Sequence, residues 1–163
     1  MARKVFFSFH FEKDIWRVIQ IRDKGAFSSV TAKGYADVTG YESIKEEDDS
    51  TIKSWIDSNL KYTEITVVLV GTETFNRHWV KYELQESYKM GNGILAIHIN
   101  NVKDRMGQTC KKGDCSFVEI AKDNFGNPIY FHELYYEYDW VNDGGYKNFG
   151  MWVEKAARDV GID

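Results

Sequence analysis

The sequence is poor in cysteine and contains no long hydrophobic run. It has two cysteines, Cys110 and Cys115, among 163 residues, whereas a secreted disulfide scaffold would use more. A zinc site would need two further ligands at suitable spacing, so we predict that both cysteines are loop thiols and that no metal is bound. No run approaches the ~18 apolar residues of a membrane span, and the apolar stretch after Met1 is too short for a signal peptide. We therefore expect a cytoplasmic protein without a membrane partner.

An excess of positive charge and a glycine-rich phosphate loop are also missing. The formal net charge is −4, which argues against nucleic acid or an anionic membrane as the main partner. No GxGxxG motif is present, so a Rossmann-type site for hydride transfer has no support. Aromatic residues, by contrast, make up 15% of the chain. Such a surplus fills a heavily packed core, lines a pocket for a planar ligand or forms an interface.

The order of strand and helix patterns is typical of an α/β protein. The length suits a single domain over residues 1–163, with a polar, irregular excursion at about residues 101–127. The predicted strands are Lys4–His10, a weak one within Gly34–Val38, Glu64–Gly71, Gly93–Asn100 and one within Pro128–Val141. The predicted helices are one within Glu12–Gly25, then Ser50–Lys61 after the acidic run Glu46–Asp49, Trp79–Met90 and Tyr146–Gly161. The alternation indicates a central, mostly parallel sheet between helices.

Two apolar runs indicate where a ligand crevice lies. Lys4–His10 and Ile65–Val70 are predicted to be the central strands, because strands buried on both faces read as continuous apolar runs. In such sheets, ligands bind beyond the carboxyl ends of the strands, at the switch in strand order. The crevice would therefore be built from SFHF and GTETF, and the helix Trp79–Met90 starts just beyond the second of these.

Glu83 lies beside this predicted crevice. The residues of its helix that face the sheet recur at helical spacing: Val80, Leu84, Ser87 and Gly91. Glu83 is predicted at the border of that face, one turn after Trp79, and therefore half-buried. Two interpretations remain open. Glu83 is either an ordinary helix residue paired with Arg77, Lys81 or water, or a partly desolvated base or oxyanion aimed at a ligand.

Four stretches together resemble a TIR-like domain. They are KVFFSFH, ITVVLVG, TFNRHWVKYEL and GNGILAIHIN, with further support from YDWVNDGGY and the aromatic helix that follows it. The similarity is to bacterial TIR-like proteins of the Thoeris anti-phage systems and to a related TIR-like group, and it covers the first hundred residues. It implies a flavodoxin-like, three-layer TIR-type fold with a mostly parallel central sheet.

The resemblance also implies an activity. Enzymatic TIR domains cleave the bond between nicotinamide and ribose in NAD, and a glutamate on the helix after the third strand carries the chemistry. That position is Glu83 here, where a carboxylate would stabilise an oxocarbenium-like centre or hold the ribose hydroxyls. NAD is then a substrate, and no cofactor or metal is required. The product is a cyclic or conjugated ADP-ribose signal that a separate effector protein senses, and self-association often completes such sites.

Other substrate-binding positions carry over from the family by motif: Ser8, Phe9, His10, Asp37, Asn76 and Trp79. Several of them have structural alternatives. His10 either bonds a phosphate or ribose hydroxyl or is a satisfied histidine at a strand end. Asp37 flanks the site or is a turn residue, and Trp79 stacks on a ring of the dinucleotide or fills the core. Asn76 and Arg77 cap the helix, the favoured interpretation, or contact phosphates.

Two other function classes remain. The first is a non-catalytic TIR-like adaptor that self-associates in signalling, with the aromatic surplus at its interface. The second is a flavodoxin-like receiver, which should have several acidic residues at the end of its first strand, where FSFHF has none. A scaffold does not require a glutamate at the edge of the crevice, so the sequence favours the enzyme over the adaptor.

Overall fold

The computed structural model describes residues 2–34, 44 and 46–163, with residues 32–34 as backbone only. The strands are β1 Arg3–Ser8, β2 Val30–Gly34, β3 Ile65–Val70, β4 Gly93–His98, β5 Glu119–Lys122, β6 Pro128–Tyr130 and β7 Glu137–Asp139. The helices are α1 Phe11–Asp23, α2 Asp49–Leu60, α3 His78–Lys89, the single turn α4 Phe131–Leu134 and α5 Gly145–Asp159. None of the helices in these ranges is long and apolar enough to cross a membrane.

The main sheet has five parallel strands in the order β2-β1-β3-β4-β7. This order is that of flavodoxin-like doubly wound folds, with the switch in strand order between β1 and β3. The prediction of an α/β, flavodoxin-like fold with a mostly parallel central sheet is therefore confirmed. Ser8 pairs with Val68 in this sheet, and Val70 pairs with His98. These pairs set the positions of the side chains at the carboxyl edge.

Helices cover both faces of the sheet. Every residue of β3 and β4 is buried, and successive side chains alternate between the two faces. One cluster joins odd-numbered strand residues to α1 and α5, as in Phe7, Val67 and Leu95. Even-numbered residues face α2 and α3 instead: Phe6 packs with α2, while Val68, Val70, Ile94 and Ala96 pack with α3.

The acidic run before α2 starts that helix, as the sequence predicts. Asp48 is the cap residue, and its Oδ1 accepts a hydrogen bond of 2.8 Å from the backbone N–H of Thr51. A carboxylate at this position satisfies a backbone donor and faces the positive end of the helix dipole.

The predicted irregular excursion and the weak second strand need correction. Within residues 101–127 the chain forms β5, which pairs with β6 as an antiparallel hairpin. The hairpin and the segments on either side of it bury four side chains in the same apolar cluster as α3: Cys115, Val118, Ile120 and Phe131. Only one residue of β5, Ile120, is buried, so the strand is too short to show a period. The second strand lies at Val30–Gly34, earlier than predicted, and residues 35–38 lie outside the described part of the chain.

A buried ion pair attaches the start of the excursion to α1. Arg17 donates to the carbonyls of Val102 at 2.7 Å and Gln108 at 2.9 Å, and to Asp14 Oδ1 at 3.2 Å. Asp14 Oδ2 is buried and has no hydrogen-bond partner among the described residues. Burial therefore raises the pKa of Asp14 to about 6, although Arg17 opposes the shift.

Close packing explains the glycine at the start of β4. A Cβ atom on Gly93 would lie 2.6 Å from Ile65 Cδ1 and 2.7 Å from the carbonyl oxygen of Ala156. Any side chain here would push α5 away from the sheet. Gly150 of α5 has more room, because its Cβ would meet Ser29 Oγ at 3.5 Å, an ordinary contact.

Candidate active site around Glu83

Glu83 lies in the interior of the protein, on the side of α3 that faces the carboxyl end of β1. Its side chain is 0% exposed, and its Oε2 accepts a hydrogen bond from Ser8 Oγ. Ser8 is the last residue of β1 and is equally buried. Two site residues predicted from separate motifs, 75 positions apart, are thus brought into direct contact.

The prediction that Glu83 would be half-buried is wrong. The spacing of the sheet-facing residues does not show that α2 packs beside α3 as well. Trp79 and Tyr82 pack against the cluster of Phe6, Ile52 and Ile56, and the Tyr82 hydroxyl donates to Asp57 Oδ1 at 2.6 Å. The helix is covered on two sides, which leaves the carboxylate with no exposed surface.

A second polar contact fixes the same helix one turn later. Ser87 Oγ donates to the backbone carbonyl of Glu83 at 2.7 Å and lies 2.6 Å from Thr66 Oγ1. Because the Ser87 proton is used, Thr66 must be the donor between these hydroxyls. Glu83 is therefore positioned through β1 by its side chain and through β3 by its own carbonyl. The sequence predicts Ser87 on the sheet-facing side of the helix but gives no role to Ser87 or Thr66, although each is a polar residue within an otherwise apolar pattern.

Of the two interpretations of Glu83, the ordinary helix residue paired with Arg77, Lys81 or water is less consistent with its complete burial. Arg77 pairs instead with Glu12, with 3.1 Å between Arg77 Nη1 and Glu12 Oε2, and Lys81 is exposed. The favoured capping role is wrong. Arg77 occupies the cap position of α3, no side chain caps that helix, and Asn76 is exposed at the end of a short 3-10 helix.

His10 begins α1 at the edge of the candidate site. Its Nδ1 accepts a hydrogen bond of 3.3 Å from the backbone N–H of Lys13 and lies 3.5 Å from Glu12 Oε2. Burial lowers the pKa of the His10 imidazole, and the neighbouring Arg77 guanidinium lowers it further. His10 is therefore an uncharged helix cap at neutral pH. A role toward ribose or phosphate stays a prediction.

Two of the other predicted site residues, Phe9 and Trp79, pack in or against apolar clusters. Phe9 lies in the core cluster that contains α1 and stacks on Phe11 with 6.1 Å between ring centroids. Trp79 is half-buried and packs edge-on against Tyr82 at 5.6 Å, on the side of α2. Asp37 lies outside the described residues. The structure therefore brings together Ser8 and Glu83, with His10 two residues after Ser8 on the same strand end.

Three side chains with metal-binding atoms meet elsewhere on the carboxyl edge of the sheet. They are His98, Cys115 and Glu137, and their donor atoms lie within 4.8 Å of one another. Burial raises the pKa of the Cys115 thiol well above its ordinary value, and the nearby Glu137 carboxylate raises it further. Cys115 is thus a protonated thiol at neutral pH, unlike an activated nucleophile.

Two comparisons with known proteins give a match. Residues 6–104 match the family described as "Thoeris protein ThsB, TIR-like domain". The chain is also 32% identical, over an alignment of 191 positions, to a Bacillus cereus (strain MSX-D12) protein named "Putative cyclic ADP-D-ribose synthase ThsB1". That similarity covers 94% of this chain and 100% of the relative.

Proposed function

The chain belongs to the family of Thoeris ThsB TIR-like domains, and from this we propose that it is an NAD-consuming enzyme. It cleaves the bond between nicotinamide and ribose and makes a cyclic or conjugated ADP-ribose signal in anti-phage defence. The observation that carries the proposal is the buried Glu83 carboxylate, held by Ser8 at the switch in strand order. The name of the Bacillus cereus relative, a cyclic ADP-D-ribose synthase, supports the same product class.

The chemistry requires negative charge near ribose C1′. When the C1′–N bond breaks, nicotinamide leaves as a neutral molecule with the bonding electrons, and positive charge develops on C1′ and the ring oxygen. Glu83 stabilises that charge electrostatically or holds the ribose hydroxyls. For a cyclic product, a nitrogen of the adenine in the same molecule then bonds to C1′ in place of nicotinamide. Exclusion of water from this carboxylate favours that transfer over hydrolysis.

The buried position of Glu83 implies a resting state. A carboxylate with 0% exposure cannot touch NAD unless neighbouring structure moves. The two contacts of α3 with β1 and β3 fix that helix, so the movement has to come from the elements that cover Glu83. Self-association, as in related enzymes, is a suitable trigger, and we expect little activity from the isolated protomer. A separate effector protein senses the product.

The test is a comparison of two charge-neutralising variants on one helix. Glu83→Gln keeps the shape of the side chain and removes its charge, and Glu86→Gln does the same at a partly exposed position that pairs with Lys89. Cells that express each variant are challenged with phage, and NAD and ADP-ribose-type products are quantified by mass spectrometry. We expect Glu83→Gln to reduce product at least about 100-fold, while Glu86→Gln stays at the wild-type level. Wild-type product formation by Glu83→Gln would refute the catalytic assignment.

A non-catalytic adaptor is the second candidate, and one observation favours it. Phe117 and Phe125 are 80% and 90% exposed, and such aromatic side chains are enriched at protein interfaces. An adaptor would self-associate equally well with and without NAD and would be indifferent to Glu83→Gln. Analytical ultracentrifugation of wild type and variant, with and without NAD, separates the two candidates.

A further inference from the structure

A compact group of three metal-ligand side chains lies at the β4–β7 end of the sheet. His98 ends β4, and Glu137 begins β7 in register with Ala96. Because Ala96 and His98 project from the same face of β4, Glu137 lies diagonally across from His98 on that face. The distance from His98 Nε2 to Glu137 Oε1 is 2.8 Å, and that from Cys115 Sγ to His98 Nε2 is 3.9 Å.

The surroundings of this group are unusual for polar side chains. His98 is 2% exposed and Cys115 is 3% exposed, and Cys115 belongs to the apolar cluster that includes Val70 and Phe131. The Glu137 side chain is 34% exposed and forms the side of the group that reaches solvent. Buried polar groups in an apolar layer are costly unless they are satisfied or have a function.

We propose that His98, Cys115 and Glu137 bind a zinc-type divalent transition metal. Imidazole nitrogen, thiolate sulfur and carboxylate oxygen are the three ligand classes of Zn²⁺, and three protein ligands leave a fourth tetrahedral position for water. The Cys115 thiol releases its proton to solvent when the metal binds. The thiolate and imidazole disfavour Mg²⁺ and Ca²⁺, which prefer oxygen ligands. Metal–ligand bonds of about 2.0–2.3 Å place tetrahedral donors roughly 3.3–3.8 Å apart. The His98–Glu137 and Cys115–His98 distances lie on either side of that range, and the third pair lies within 4.8 Å, so shifts of up to about 1 Å bring the donors into position.

The second ring nitrogen of His98, Nδ1, indicates how tightly the site binds a metal. A metal on His98 Nε2 requires the ring proton on Nδ1, which is buried and has no hydrogen-bond partner within the described ranges. Metal-binding histidines normally donate that proton to an acceptor, and loss of the acceptor weakens affinity by about 10–100-fold. We therefore expect an exchangeable metal site. It is separate from the Glu83 contact: His98 lies two strands from Ser8 and two residues further toward the carboxyl edge.

Cobalt titration tests the proposal directly. Reduced protein without a polyhistidine tag is titrated with Co²⁺, whose thiolate bond gives a charge-transfer absorption band and whose d–d intensity reports tetrahedral geometry. We expect saturation at one Co²⁺ per chain and loss of the bands when Zn²⁺ is added. Cys115→Ser should abolish the charge-transfer band, and the matched control Cys110→Ser should keep it. A wild-type protein that develops no charge-transfer band would overturn the proposal.

A second variant tests the site even if Cys115→Ser fails to fold. Glu137→Gln alters the ligand that reaches solvent, so its far-ultraviolet circular dichroism should match wild type. We expect it to weaken Co²⁺ binding at least about 10-fold and to remove the rise in melting temperature that added Zn²⁺ gives the wild type. Equal Co²⁺ affinity in Glu137→Gln and wild type, or loss of the band in Cys110→Ser as well, would show that the metal binds elsewhere.

Discussion

Replacement of Ser8 by alanine should destabilise the protein through Glu83. Ser8 Oγ donates to a carboxylate that is entirely buried, and a hydrogen bond to a charged group contributes about 1.5–3 kcal/mol. The hydroxyl occupies little volume, so the lost hydrogen bond should dominate the change. We expect Ser8→Ala to lower the free energy of unfolding by about 2 kcal/mol, equivalent to about 4–8 °C in melting temperature for a chain of this size.

A double-mutant cycle isolates the contact. Glu83→Gln makes the acceptor a neutral amide, for which the same hydrogen bond contributes only about 0.5–1.5 kcal/mol. Ser8→Ala should therefore destabilise the Glu83→Gln background by about 1 kcal/mol, leaving a coupling energy of about 1 kcal/mol. Urea unfolding of the four proteins at neutral pH measures each term, provided that the dependence on urea concentration is the same in all four.

Additive effects in this cycle would refute the reasoning. If Ser8→Ala reduces stability equally in both backgrounds, the hydroxyl does not distinguish the wild-type acceptor from a neutral amide, and the hydrogen bond to a charged Glu83 carboxylate is refuted. A change of less than about 0.5 kcal/mol in both backgrounds would show that the contact with Glu83 is absent in solution, since surface substitutions commonly have effects of that size.

Two further predictions concern the core. Because the pKa of Asp14 rises from 3.8 to about 6 on folding, the folded protein holds a proton that the unfolded chain releases, and stability falls as pH rises through that window. The stability of Asp14→Asn relative to wild type should therefore increase by about 1 kcal/mol as the pH rises from about 5 to about 7.5, measured by urea unfolding. A difference in stability that does not change with pH would contradict the assignment. Gly93→Ala should lower stability by about 3 kcal/mol, because its methyl group meets Ala156 O at 2.7 Å. The control Gly150→Ala, in the interior of α5, should raise stability by about 0.5–1 kcal/mol. Equal effects of the two substitutions in thermal unfolding would show that packing does not distinguish the two glycines.

The features that the sequence predicted well are local or periodic. The apolar run of β3 and the helical spacing of Val80, Leu84 and Ser87 depend only on neighbours in the chain, and the structure confirms both. Gly91, predicted on the same face, is exposed and lies beyond the end of α3. Ser8 and Glu83 were predicted as separate motif positions, and the parallel sheet explains why they meet. The depth of Glu83 could not be predicted, because it depends on how α2 packs beside α3.

The features that were missed depend on contacts between distant segments. The donor atoms of His98, Cys115 and Glu137 come from positions 17 to 39 residues apart, with no spacing typical of a zinc motif. The residues around Cys115 are polar, so the sequence predicts a surface loop. The burial of that cysteine results from the hairpin, which packs on the face shared with α3.

The β5–β6 hairpin also limits how far the chain can be shortened without exposing the core. The family match ends at residue 104, before β5, β6, β7 and α5. A truncated protein that followed this boundary would uncover Val70 and Ala96 on one face of the sheet and Leu95 on the other. The segment that matches the family is thus shorter than the unit of folding, whereas the similarity to the Bacillus cereus relative covers 94% of the chain. A minimal version for crystallisation or transfer into other hosts has to retain the chain through Asp159, the last residue of α5.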